Sequence, residues 1–124
     1  MVHTNTTIMV IDDDDLVRDS LKTLLKSAGF KVEVFDSAER FLNSGCHLID
    51  SLLVLDIQMP GMNGLELQVH LAESGVVIPI VFITAHEDDR ACTKAMALGA
   101  VTILQKPFED STILDTIQTI IARE

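Results

Sequence analysis

Two apolar runs that each stop at aspartate constrain this chain more than any other feature. Thr6-Thr7-Ile8-Met9-Val10-Ile11 leads into Asp12-Asp13-Asp14-Asp15, and Ser51-Leu52-Leu53-Val54-Leu55 leads into Asp56. Neither run alternates with polar residues, so each reads as a strand buried on both faces, the pattern of a parallel sheet covered by helices. The carboxylates then emerge together at the C-terminal ends of two strands. Crowding like charges there is unfavourable on its own. A divalent cation relieves it, and oxygen-only ligands suit Mg²⁺ or a similar hard ion such as Mn²⁺. A plainer reading stands beside this one. Asp14 or Asp15 caps the first helix, the cluster is a solvated charge run, and Asp56 is a turn former.

The remaining sequence alternates in the same way. Val17, Leu21, Leu24, Leu25 and Ala28 fall on one helix face, closed by Gly29. Lys31–Phe35 alternates and reads as an edge strand wet on one side. Ser37 caps a short helix that turns Ala38, Phe41 and Leu42 inward. Met59-Pro60-Gly61-Met62-Asn63-Gly64 is a loop, with the two methionines as its anchors, and a helix follows from Leu65 to about Ser74. Pro79–Thr84 is a buried strand; Ala91, Ala95 and Leu98 mark a helix closed by Gly99. Val101–Gln105 is a fifth strand, and Ile113, Ile117, Ile120 and Ile121 mark a final helix. Strand–helix repeated five times predicts a parallel sheet with helices on both faces. Ligands of such sheets bind beyond the carboxyl ends of the strands. Asp12, Asp13, Asp56, Thr84 and Lys106 all fall at or just past those ends.

Their chemistry is complementary. Asp56 is the candidate nucleophile, able to attack phosphorus and form an acyl phosphate. A cation on Asp13 and Asp56, with Asp12 behind, would offset the repulsion between carboxylate and phosphoryl oxygens. Lys106 adds a mobile positive charge and Thr84 a hydroxyl donor. Gly61 and Gly64 allow backbone to approach the site closely. Lys106-Pro107 is a turn and a candidate cis peptide. Arg18, Lys22 and Lys26 form a basic stripe on the first helix, read as a solvated face or a dock for an acidic partner.

Bulk properties remove whole classes of function. The 124 residues fit one domain, and 48% hydrophobic content provides a real core. A formal net charge of −10 argues against direct nucleic-acid binding and against anionic membranes. No apolar run approaches a membrane span and no signal-peptide pattern opens the chain, so a cytoplasmic location is expected. Cys46 and Cys92 lack metal spacing and read as idle thiols; His3, His47, His70 and His86 lack ligand spacing too.

These blocks together resemble the receiver domain of two-component response regulators. The likeness rests on Val10-Ile11-Asp12-Asp13, on Leu55-Asp56-Ile57-Gln58-Met59-Pro60-Gly61-Met62-Asn63-Gly64, on Ile83-Thr84-Ala85 and on Gln105-Lys106-Pro107-Phe108. Asp12 to Leu21, Ser37-Ala38-Glu39 and Lys106 to Asp110 are similar to the FixJ-type transcription regulators in particular. The resemblance implies a flavodoxin-like (βα)5 fold with sheet order 2-1-3-4-5. It implies that Asp56 accepts a phosphoryl group from a phosphohistidine of a sensor histidine kinase. Asp13, Asp56 and the Gln58 backbone carbonyl would hold Mg²⁺, with Asp12 reached mainly through water. Thr84 and Lys106 would bind phosphoryl oxygens, and kinases would dock beside the basic stripe. The surface of helix 4, strand 5 and helix 5 would then repack, in many members as a homodimer. One departure stands out. The family's usual Phe or Tyr three residues before the lysine is Ile103 here, so a switch would rest on Thr84 and loop repacking. The expected organisation is a single receiver over residues 1–124, with DNA contacted only through an output domain outside this chain. An aspartyl-phosphate phosphohydrolase, the rival class, needs a general acid/base two residues after the nucleophile, where Gln58 stands. A module that binds without phosphorylation is the third reading.

Overall fold

The computed structural model describes residues 6–46, 50–85 and 89–122. The order is β1 (Thr7–Ile11), α1 (Asp15–Ser27), β2 (Lys31–Phe35), α2 (Ala38–Ser44), β3 (Ser51–Asp56), α3 (Gly64–Glu73), β4 (Ile80–Thr84), α4 (Asp89–Ala97), β5 (Thr102–Gln105) and α5 (Asp110–Ala122). The strands form one parallel sheet in the order β2-β1-β3-β4-β5. This is the flavodoxin-like arrangement, and the uninterrupted apolar runs take the positions covered on both faces. β1, β3 and β4 are buried along their whole length, whereas β2 and β5 are edges with exposed positions.

Strand alternation divides the core in two. Ile8, Val10, Leu52, Val54, Val81 and Ile83 pack against Leu21 and Leu25 of α1 and the isoleucines of α5. Met9, Ile11, Leu53, Leu55 and Phe82 pack against α2, α3 and α4. Turn chemistry sets the boundaries. The Asp14 carboxylate caps α1 by accepting from Leu16 N–H at 2.9 Å and Val17 N–H at 3.4 Å, which leaves Asp15 in the first turn. Ser37 caps α2 through Arg40 N–H. Gly29 and Gly99 take the left-handed backbone that ends α1 and follows α4.

Boundaries shift by about one residue where the periodic pattern ignored caps. α3 starts at Gly64 because Asn63 and Glu66 form a reciprocal capping box. β4 starts at Ile80, since Pro79 has no N–H to give the ladder, and β5 starts at Thr102. Leu98, read as an inward marker of α4, is instead 49% exposed. Only Ala91 and Ala95 are buried on that helix, which ends at Ala97.

Candidate functional site

The sheet register builds the site. Ile11 pairs with Leu55, so Asp12 and Asp56 leave adjacent strands side by side. Asp56 pairs with Ile83, one residue before Thr84 at the end of β4. Lys106 N–H donates to the Thr84 carbonyl at 2.7 Å, extending the β4–β5 ladder until the lysine reaches the same edge. The Lys106–Pro107 peptide is cis.

Carboxylate oxygens of Asp12, Asp13 and Asp56 lie within 4.8 Å of one another. Asp12 and Asp56 are buried, whereas Asp13 faces solvent at the rim. Lys106 Nζ donates to Asp12 Oδ2 at 2.8 Å and stands 3.7 Å from Asp56 Oδ2. One ammonium thus serves two buried carboxylates. Burial, then repulsion from Asp12, pushes the Asp56 carboxyl up to about 7, against the opposing pull of Lys106 and of Gln58 N–H, which donates to Asp56 Oδ1 at 3.2 Å. An oxygen-only cluster short of positive charge has the donor chemistry of a hard divalent cation site. Thr84 is buried at the strand end, beside small, exposed Ala85. Ile103 is half-buried and packs on the α2–α3–α4 side of the core, in register with Phe82.

One framing feature was invisible to local pattern, and the reading of the two loop glycines narrows to one of them. Arg18 does not belong to a solvated stripe with Lys22 and Lys26, because its side chain is only 15% exposed. Its guanidinium donates to the Asp12 carbonyl at 2.6 Å and pairs with Asp15, holding the turn that carries the acidic cluster. Gly64, not Gly61, makes the close approach to the acceptor strand. A Cβ on Gly64 would fall 2.3 Å from the Asp56 carbonyl oxygen, whereas one on Gly61 would meet the Glu39 carboxylate. The capping box had a readable signal in Asn63-x-x-Glu66; the reach of Arg18 had none. His3, His47 and His86 lie outside the described residues.

A strand-end carboxylate with two acidic neighbours, a lysine and a threonine is the signature to compare with known proteins. Residues 8–118 match the model of the response regulator receiver domain. The chain belongs to the response regulator receiver family. The receiver is 44% identical over 114 residues to the transcriptional regulatory protein FixJ of Bradyrhizobium diazoefficiens, which covers 92% of this chain and 56% of FixJ. It is 42% identical over 112 residues to the response regulator protein TmoT of Ectopseudomonas mendocina, covering 90% of this chain and 51% of TmoT. The receiver thus spans about half the length of the curated relatives it matches. The crystal structure of FixJ-N superposes with a TM-score of 0.85 at 38% identity, over 93% of this chain and 92% of that one. Receivers of this family are signalling modules of two-component systems and partner with histidine kinases. Among the described residues no helix is long and apolar enough to cross a membrane.

Proposed function

We propose that this receiver is a phosphoacceptor in which Asp56 takes a phosphoryl group from a phosphohistidine of a sensor histidine kinase. The observation that carries the reading is Asp56 itself, buried beside Asp12 and within reach of Lys106 at the exit of β3. In the transfer an Asp56 oxygen bonds to phosphorus as the phosphorus–nitrogen bond breaks, and the imidazole keeps the electron pair. Lys106 moves from its carboxylate partners to a phosphoryl oxygen, and the Thr84 hydroxyl donates to another. Asp13, Asp56 and the Gln58 backbone carbonyl would hold Mg²⁺ or Mn²⁺, with Asp12 through water. Bound there, the cation neutralises the charge between carboxylate and incoming phosphoryl oxygens.

Thr84, drawn toward the phosphoryl group, would carry the start of the β4–α4 connection with it, while Ile103 repacks as an aliphatic side chain without a ring to rotate. The α4–β5–α5 surface is then the output, acting through a homodimer or through an output domain that contacts DNA. The phosphohydrolase reading is disfavoured by Gln58, an exposed amide that transfers no proton in this role.

The test is intact-mass spectrometry after incubation with Mg²⁺ and acetyl phosphate, beside Asp56→Asn. One phosphoryl group on the wild type alone, lost on hydroxylamine treatment, is the expected result. Equal uptake by Asp56→Asn would overturn the assignment.

A further inference from the structure

Residues 57–63 connect the acceptor strand to α3, and their two ends are fixed by their own neighbours. Gly64 N–H donates to the Ile57 carbonyl at 2.9 Å, and the Asn63–Glu66 box closes the helix end. The apex is held from another element. The Glu39 carboxylate, in the first turn of α2, accepts from Met62 N–H at 3.0 Å. Gly61 has φ +73° and lies so near that a Cβ there would stand 2.8 Å from the same Glu39 Oε2. The Met62 N–H is the main cause holding the Glu39 carboxyl below its ordinary range. α2 is a firm platform for this contact: Ala38 and Phe41 are fully buried, and Phe41 meets Phe35 edge-on at 5.4 Å.

We propose that Glu39 is a positioning residue for phosphorylation, fixing the loop apex so that the Gln58 stretch stays seated against Asp56. This rests on the reading of Asp56 as acceptor. The chain of contacts is short. Gln58 N–H orients Asp56 Oδ1, Met62 lies four residues on, and Glu39 is the side chain that grips the loop there. Releasing the apex loosens both the acceptor's hydrogen bond and the Gln58 carbonyl. Glu39 itself is exposed and touches no reacting atom.

The experiment compares Glu39→Ala, Glu39→Gln and Gly61→Ala with wild type in the full 124-residue chain. Mg²⁺ affinity is read from backbone amide shifts during titration, and acyl phosphate formation from acetyl phosphate. Glu39→Ala should weaken Mg²⁺ binding and slow uptake by about tenfold, the lower end of what loss of an outer hydrogen bond at a metal site costs. Glu39→Gln keeps an acceptor oxygen and should recover most of the loss, which a purely structural defect would not predict. Gly61→Ala should show a loss at least as large, since it both displaces the carboxylate and strains the left-handed backbone at φ +73°, so Glu39→Ala against Glu39→Gln is the deciding pair. The proposal falls if Glu39→Ala stays within about twofold of wild type, or if Glu39→Gln is as impaired as Glu39→Ala. Asp56→Asn still blocking uptake would then leave the acceptor reading intact. A wild type that takes up no phosphoryl group sinks the acceptor reading and the role of Glu39 in phosphorylation with it, whereas normal wild-type uptake with unchanged uptake and Mg²⁺ binding in Glu39→Ala sinks the Glu39 proposal alone.

Discussion

The two faces of the sheet are built from different materials. α5 lays four buried isoleucines, Ile113, Ile117, Ile120 and Ile121, beside Leu21 and Leu25 of α1. On the opposite face α4 contributes Ala91 and Ala95 and leaves Met96 about half exposed, as is Leu98 just past its end. A buried isoleucine removes far more apolar area from water than an alanine, so α5 is firmly held while α4 is lightly attached, its face being filled instead by Phe41 of α2 and by Leu67 and Leu71 of α3. Thr84 and Ile103 belong to the α4 side by strand alternation with Phe82. Firm and light attachment are thus assigned to different helices, which suits a domain that must move one surface without unfolding.

The largest effect separates the faces directly. Ile117→Ala should destabilise by about 3–4 kcal/mol, from lost transfer energy and the cavity left in a fully buried position. Ala95→Gly in α4 should cost only about 1–2 kcal/mol, mostly helix propensity. Urea denaturation of both variants is the measurement. Equal losses would erase the contrast and leave α4 as firmly built in as α5.

Gly64→Ala comes next, at about 2–3 kcal/mol, because its new methyl meets backbone rather than a yielding side chain. The same variant should displace the Asp56 main chain and impair phosphoryl uptake. A variant with wild-type stability and wild-type uptake would show that the junction of β3 and α3 gives way easily.

The acidic edge supplies a pH-dependent effect that the aliphatic face lacks. The folded-state carboxyl of Asp56 stands near 7, above its unfolded value. Between the two values the folded chain holds a proton that the unfolded chain has released, so this group's penalty is absent below about pH 4 and complete above about pH 7. Metal-free wild type should therefore lose stability as pH rises through that window. Asp56→Asn should remove this loss, on the order of 1–2 kcal/mol at pH 8 after allowance for screening. Millimolar Mg²⁺ should raise the wild-type melting temperature at pH 8 and less at pH 5, since the ion needs the ionised carboxylate. Thermal melts across pH, with and without Mg²⁺, check both. Parallel curves for wild type and Asp56→Asn would place the strain elsewhere.

The contrast between faces also explains what could be read in advance. Apolar runs that stop at charge announce strand ends, so Asp12, Asp56 and the sheet were legible from local pattern. Helix periodicity located α5 through its isoleucines, because large side chains report the buried face. It misplaced Leu98, because α4 approaches the sheet on alanines and ends before the next turn completes. It also placed Arg18 in a solvated stripe, although the β1–α1 turn lets that side chain reach back to the Asp12 carbonyl. Glu39 and Met62 lie 23 residues apart and meet only because α2 packs beside the β3–α3 loop. Contacts between elements carry no period, and only the fold reveals them.

The smallest effect probes how α4 is tied down. Gln68 of α3 is buried, and its Nε2 donates to the Ala95 carbonyl at 2.9 Å, the same carbonyl that accepts from Ala100 N–H. Its Oε1 is buried without a hydrogen-bond partner among the described residues, at the edge of a cavity of about 340 Å³ lined also by Leu71, Val76 and Ile80. One satisfied and one unsatisfied polar atom nearly cancel, so Gln68→Met should change stability by less than about 1 kcal/mol. Its effect should be local instead. Amides of α4 should exchange several-fold faster with solvent while those of α5 stay unchanged, because only α4 loses a tie to its neighbour. Hydrogen exchange followed by amide-resolved NMR decides it. Acceleration spread equally over both helices would mean that the two faces yield together, and that α4 is not the independently adjustable element its thin packing indicates.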